Sequence, residues 1–372
     1  MPEVLRQSQP VTAEKTLSGL QSSVVIVSYN SRADLEPCLE SLLQTTGSDC
    51  EIIVVDNAST DGSAELIREK FPRVRLIANP ANSGFAAANN LAVSQARGRY
   101  IVALNPDTRV TPGWLEALLA PFEQEAGVAP AALRVGLTTP RILMLREPEK
   151  VNTCGNSSHF SGLTVCRGLN LPAGAAELQH QAEVPAVSGA CFAIRRDLWQ
   201  SLGGLDETFF TYLEDTDLSL RARLAGYTCL YQPDAVVYHD YANHFSARKI
   251  FYLERNRYLL LLKTYRARTL LCLLPALLLV ELITWGYALK NSLPGIKARW
   301  QAYLWILTHP CVVRRKRREA QALRRVSDRA LLNSLLWKLD ISQLAGARLA
   351  ILANYTINPF FRAVYALSLK LA

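Results

Sequence analysis

Short apolar runs alternate along the chain with stretches in which apolar residues return every three or four positions. Ser23–Asn30, SVVIVSYN, is continuously apolar until its end, the pattern of a strand buried on both faces. Leu35, Leu39, Leu42 and Leu43 follow at helical spacing within Ala33–Gln44. The pattern then repeats as strand Glu51–Thr60, helix Ala64–Lys70, strand Val74–Asn79, alanine-rich helix Gly84–Gln95, strand Tyr100–Leu104 and helix Trp114–Gln124. Strand and helix in strict turn predict an α/β domain built on a doubly wound sheet. Ligands of such sheets sit beyond the carboxyl ends of the strands, and Asn30, Asp56 and Asp107 all fall there.

Gly127–Pro185 breaks the alternation with Gly, Pro and Ser clusters, which predict short strands and long loops. Val187–Trp199 reads as a strand running into a short helix. Asp215–Ala225 reads as a helix closed by Gly226, and TCLYQP and AVVYH read as two further strands. From about Tyr258 the character changes to long apolar stretches, among them Thr269–Leu289, and the basic run Arg314–Arg318. Three units result: a polar lead-in over 1–21, a body over 22–262 and a basic, apolar helical region over 263–372.

Charge sharpens that division. The 372 residues are 49% hydrophobic, which excludes global disorder, and carry a net charge of +9. From Lys263 onward there are 18 basic and four acidic residues, so the body is mildly acidic and the tail strongly basic. Such a tail points to a membrane surface or to nucleic acid. The eight cysteines include no C-x-x-C pair, which argues against a zinc ribbon and predicts reduced thiols in a cytosolic setting. The N-terminus lacks the apolar segment of a secretory signal.

Four strings carry candidate chemistry. In VVDNASTDGS, Asp56 and Asn57 follow a buried strand, where they either grip a ribose or base edge or cap a turn. In NPANSGFAAANNLA, Gly84 opens a helix whose first amides either face an anion or close a turn. With Gly84 alone there is neither G-x-G-x-x-G nor a P-loop, which removes most support for a dinucleotide-binding dehydrogenase or a P-loop NTPase. In LNPDT, Asp107 can hold a hard divalent cation between phosphates or simply make a turn. In LDETFFTYLEDTDLSLRARLAGY, Glu214, Asp215 and Asp217 cluster at a helix start, as general-base candidates or as dipole-favoured acids. His239 ends the later AVVYH strand, as a ligand or as a structural histidine.

Taken together, VVIVSYN, IIVVDNASTDGS, NSGFAAANN, LNPDT, SGACFAIRRDLW and LDETFFTYLEDTDLSLRARLAGY, followed by YH, resemble the family 2 glycosyltransferases of GT-A fold, in the rhamnosyl- and galactofuranosyltransferase subgroup. The resemblance covers about Ser22 to Leu262 and implies a catalytic domain with a nucleotide-sugar half over 22–126 and an acceptor half over 127–262. It implies that Asp56, Asn57, Gly84, Asn89, Asn90, Asn105 and Asp107 surround the donor. Many relatives carry Arg at the Asn89 position, and a first Asp often stands where this chain has Asn105. It further implies Mg²⁺ or Mn²⁺ held by Asp107 and His239, Asp215 as base with Glu214 beside it, and Trp199, Gly203 and Gly204 shaping the acceptor site. The implied reaction is a single inverting displacement at the anomeric carbon of a nucleotide-sugar, with deoxythymidine diphosphate-rhamnose as the first donor to test.

Glu281 and Pro275 interrupt Thr269–Leu289, and basic residues flank both ends, which favours helices lying on a membrane over a simple span. A lipid-linked acceptor at the cytoplasmic face of a bacterial inner membrane would account for such a tail. The bland reading is a helical domain packed on the body, or a surface joining two copies. A nucleotidyltransferase would want a Gly- and Lys/Arg-rich loop after the first strand, where this chain has SYNSRADL. A nucleic-acid-binding protein would want an aromatic-and-basic sheet face, and no such motif is legible.

Overall fold

The computed structural model describes residues 21–124, 134–241, 246–291, 293–340 and 353–371, and its apolar runs assemble into one mixed sheet of ten strands. β1 (Ser22–Ser28), β2 (Cys50–Asp56), β3 (Arg75–Ala78) and β4 (Tyr100–Leu104) lie parallel in the order β3-β2-β1-β4. Side chains alternate across each strand, so one run feeds two cores. Val24, Ile26, Ile52 and Val54 pack under α1 (Arg32–Thr45), α2 (Ser63–Lys70) and α4 (Trp114–Gln124). Val25, Val27, Ile53 and Val55 pack under α3 (Gly84–Gln95), whose alanines let the helix sit close to the sheet.

Beyond β4 the sheet turns mixed. β5 (Thr108–Val110) follows the LNPD turn, and β6 (Arg134–Met144) is an eleven-residue strand inside the stretch expected to be short strands and loops. Gly136 and Pro140 disguise it in the sequence. Gly136 is required by close approach, since a Cβ there would lie 2.7 Å from the Tyr227 Cβ. β7 (Val151–Thr153) pairs with β6, while β8 (Asn156–Ser158) and β9 (Thr164–Cys166) form a separate hairpin. β10 (Ala182–Glu183) is an edge, and β11 (Cys191–Arg195) joins β4 to β6 before α5 (Arg196–Leu202). After α6 (Glu214–Leu224), the two strands expected near the end of the body are a single strand, β12 (Tyr227–His239). A bulge between Gln232 and Val236 absorbs Pro233, Asp234 and Ala235, and pairing with β6 continues on both sides of it.

The helical region does not stand apart from the body. α7 (Ala247–Thr264), α8 (Ala267–Asn291), α9 (Leu293–Thr308), α10 (Pro310–Ala322), α11 (Asp328–Asn333) and α12 (Ile357–Leu371) close a third core. Phe160, Phe209, Leu220 and Leu224 from the body meet Leu273, Val280, Leu332 and Phe361 from the tail in that core. Buried charges cross the same junction. Lys263 reaches Asp206 at 2.5 Å and Asp217 at 2.7 Å. Arg299 reaches Glu254 and Glu281, each at 2.9 Å, and Arg257 pairs with the same two acids. Glu281, the acid inside the apolar run, therefore faces protein.

α8 is continuous through Pro275, and Ala267–Gly286 is long and apolar enough to cross a membrane by length and composition, with mean hydropathy 2.0 and 22% of the stretch buried. The basic run divides. Lys316 reaches Asp206 at 3.2 Å, and Arg317 donates to the carbonyls of Leu262 and Tyr265, closing the end of α7. Arg314, Arg315 and Arg318 alone of the five face solvent.

Candidate active site

A cavity of about 330 Å³ opens among the carboxyl ends of the central strands. Two pairs of chemical groups stand at it: in the first His239 lines the wall and Asp107 lies beside it, and in the second Glu214 and Asp215 both line it. The first arises from strand register. β12 pairs antiparallel with β5, His239 opposite Thr108, so the last residue of β12 arrives beside the LNPD turn. His239 Nε2 lies 3.2 Å from Asp107 Oδ1. On the other edge of the ring, Nδ1 lies 2.9 Å from Asn152 Oδ1. With Nδ1–H donating to Asn152, the neutral ring turns the lone pair of Nε2 toward Asp107. Asp107 Oδ1 has no hydrogen-bond partner.

Two acceptor atoms this close without a proton between them suit a divalent cation. Asp34 senses the same field: burial and the charges of Asp107 and Asp240 raise its carboxyl above the usual range. Among the described residues no three His, Cys, Asp or Glu side chains gather into a cage. Asp107 and His239 would therefore supply two ligands, leaving positions for phosphate oxygens and water. Asn105, in the same turn, lines the cavity.

The second pair opens α6. Asp215 Oδ2 accepts from Gly189 N at 2.7 Å and Asn156 Nδ2 at 3.0 Å, and Oδ1 accepts from Thr216 N at 2.6 Å. Glu214, beside it, is 6% exposed, and its Oε2 has no partner. Burial raises both carboxyls, and the charge of Asp215 raises Glu214 further. The turn before them is held in a demanding conformation: Phe210, Tyr212 and Leu213 have φ of 63°, 67° and 67°. Asn256 of α7, fully buried, holds it by donating to the carbonyls of Phe209, Thr211 and Tyr212 at 3.1, 2.9 and 2.7 Å. Arg255 donates to Thr208 and Phe209 at 2.7 and 2.8 Å.

Residues 23–203 match the model of Glycosyl transferase family 2. The chain carries a family 2 glycosyltransferase domain. The fold is that of the GT-A enzymes. The crystal structure of GalNAc-T7 with UDP, GalNAc and Mn²⁺ superposes with a TM-score of 0.51 at 21% identity, over 63% of this chain and 47% of that one. That of TarS from S. aureus gives 0.51 at 16% identity, over 90% of this chain and 54% of that one. In sequence, the N-acetylglucosaminyl-diphospho-decaprenol L-rhamnosyltransferase of Mycobacterium tuberculosis is 29% identical over 245 residues, 59% of this chain and 76% of the relative. The hyaluronan synthase of Pasteurella multocida is 32% identical over 132 residues, 35% of this chain and 14% of the relative.

Within this glycosyltransferase domain the other expected site residues divide. Asp56, at the end of β2, is 4% exposed; Oδ2 accepts from Ser59 N at 3.2 Å, and Oδ1 has no partner, which leaves an acceptor for a ligand hydroxyl. Asn57 organises the turn before α3, accepting from Asn79 Nδ2 at 2.9 Å and Ser83 N at 3.1 Å. The first amides of α3 do not face an anion, because Phe85 N and Ala86 N donate to the Phe210 carbonyl at 2.7 and 3.3 Å. Gly84, at φ +84°, permits this contact, since a Cβ would stand 2.6 Å from that carbonyl oxygen.

Asn89 and Asn90 do not reach the cavity. Asn89 donates to Phe85 O within α3, and Asn90 holds Leu205 through both backbone groups, at 2.8 and 2.9 Å. Trp199 is buried in the second core, Gly203 ends α5 in the left-handed conformation, and Gly204 packs against Asn90 and Trp199. None of these three lines the cavity. Asn152, Asn156, Asn256 and Lys249 escaped sequence reasoning. The legible signal was the polar run Glu254–Arg257 between the apolar stretches of α7; the two strand asparagines carry none.

Proposed function

We propose that this chain is an inverting, cation-dependent glycosyltransferase. It moves a sugar from a nucleoside diphosphate donor, deoxythymidine diphosphate-rhamnose first, to a hydroxyl of a glycan or lipid-linked acceptor in cell-surface polysaccharide synthesis. The observation that carries this reading is that His239, with Asp107 3.2 Å from its ring, lines the same cavity as Glu214 and Asp215. Mg²⁺ or Mn²⁺ held by Asp107 and His239 supplies charge neutralisation for a departing diphosphate.

This chain's own residues do the rest. Asp56 offers its free oxygen to the nucleoside. Three donors fix the orientation of Asp215, so that it takes the proton of the acceptor hydroxyl. The oxygen's electron pair forms the new bond to the anomeric carbon as the bond to the diphosphate oxygen breaks. General-base help is worth roughly 10²–10⁴-fold, so positioning and charge stabilisation must provide the remainder.

The rhamnosyl reading draws on the mycobacterial relative, whose name also specifies a diphosphate-lipid acceptor. The proposed peripheral attachment, at the cytoplasmic face of a bacterial inner membrane, draws support from the exposed leucines of α8 and α9, Leu282 at 71% and Leu307 at 75%, together with Arg314, Arg315 and Arg318. A thermal-shift panel of nucleotide-sugars with and without Mn²⁺ tests the donor side. Cation-dependent stabilisation by deoxythymidine diphosphate-rhamnose is expected. Stabilisation by a UDP-sugar instead would replace the donor, and no shift with any would reject the reading.

A further inference from the structure

α7 starts at the cavity, where Lys249 lines the wall with its ammonium 5.5 Å from the Tyr212 ring centre. Arg248, beside it, is exposed, its guanidinium 5.5 Å from the ring centre of Phe210 and 5.8 Å from that of Tyr252. Those two rings stack at 5.3 Å and 8°. Farther along, Arg255 lies 4.9 Å from Tyr252 and 4.9 Å from Trp305 of α9, and Trp305 stacks on His309 at 4.5 Å and 9°. The band ends where Leu304 and Leu307 are 60% and 75% exposed. Among the described residues Arg248 has no carboxylate partner. A guanidinium that sits beside aromatic rings rather than a carboxylate can still offer N–H groups to phosphate oxygens.

Resting on the glycosyltransferase reading of the cavity, we propose that this band is the path of the acceptor. Arg248 and Lys249 hold the phosphate of a diphosphate-linked lipid glycan whose sugar end enters the cavity, and its hydrocarbon chain lies over Leu304 and Leu307. The donor's diphosphate belongs to Asp107 and His239, so these cations serve a second phosphorylated molecule. The band runs from the cavity mouth to an apolar surface, which matches an amphiphile with its charge between sugar and lipid.

Calorimetric titration of the full chain tests the proposal, with farnesyl diphosphate as probe and farnesol, pyrophosphate, deoxythymidine diphosphate and UDP as comparisons. Farnesyl diphosphate should bind more tightly than farnesol or pyrophosphate. Arg248→Gln, checked for an unchanged Tm, should weaken it roughly ten-fold, as for a lost charge-assisted hydrogen bond, and leave UDP affinity unaltered. Arg248→Lys should recover most of the loss. Leu307→Gln should weaken farnesyl diphosphate but not pyrophosphate. Equal affinity of wild type and Arg248→Gln for farnesyl diphosphate overturns the proposal, as does a loss of UDP affinity in that variant, which would give the cations to the donor. Failure of wild type to bind either deoxythymidine diphosphate or UDP would sink the glycosyltransferase reading, while the Arg248 dependence of farnesyl diphosphate binding would still be readable.

Discussion

Asp215 and Glu214 are neighbours with opposite surroundings: three backbone and amide N–H groups hold the first, while one oxygen of the second meets none. Asp215→Asn therefore does more than remove a base. Its amide NH₂ must point at one set of donors, so the variant should lose about 1–3 kcal/mol of stability as well as transfer activity, read by denaturant unfolding and turnover. Wild-type turnover would reject Asp215 as the base. Glu214 gives a pH signature. Burial first, and Asp215 second, push its carboxyl from 4.5 to about 8. A folded-state value raised this way means that the folded chain binds the proton more tightly, so stability falls as pH rises through that window. Glu214→Gln should raise Tm at pH 9 and change it little at pH 4; an equal shift at both would contradict the assignment. The Asp56, Asp107, Glu214 and Asp215 positions were legible in the sequence because a carboxylate at a strand end or helix start has a local pattern. Asn152 and Asn156 were not, because their roles depend on β7 and β8 reaching the cavity from distant sequence. The contacts of Asn90 and of the α3 amides were illegible for the same reason: their partners, Leu205 and Phe210, lie more than a hundred residues away, whereas Asn89 turns back on Phe85 O within its own helix.

At the scale of elements, α7 sets the turn that presents the acid pair. Phe210, Tyr212 and Leu213 sit in left-handed backbone at a cost of roughly 1–3 kcal/mol each, which Asn256 and Arg255 offset. Asn256→Ala leaves three carbonyls without that donor. It should lower stability by about 1–3 kcal/mol and lower kcat more than donor affinity, because Asp107 and His239 stand on other elements. A variant with normal kcat at its own permissive temperature would show that the turn does not govern the chemistry. The parallel half of the sheet could be read directly, since four apolar runs alternate with four helices. The mixed half could not: Pro140 and Gly136 interrupt β6, and Pro233 splits β12 in the sequence although a bulge keeps it whole. That bulge keeps the late register that brings His239 to Asp107.

Across the whole molecule, charge and core together decide what the tail can lose. A body and a tail divided by charge read as separable units, and a cut near Tyr265 would follow that division. In the structure it removes Glu281 and Arg299 from Arg257 and Glu254, and breaking one partner of a buried pair costs roughly 3–5 kcal/mol. The truncated chain should aggregate or unfold, as sedimentation and far-UV circular dichroism will show; a soluble, cooperatively folding fragment would contradict the shared core. Arg314→Gln, Arg315→Gln and Arg318→Gln together should leave Tm nearly unchanged and lower binding to anionic vesicles, since each basic residue near the surface contributes about 1 kcal/mol. Vesicle binding unaffected by the triple substitution would point to another use of the exposed leucines, such as contact with a second copy. The measurement that reaches the central claim most directly is donor turnover by wild type and Asp107→Ala, with Mn²⁺ and with chelator. Nucleoside diphosphate should be released from one nucleotide-sugar by wild type with Mn²⁺, and neither by the variant nor in chelator. Equal release by Asp107→Ala, or release indifferent to chelator, would contradict a donor site built on Asp107 and His239.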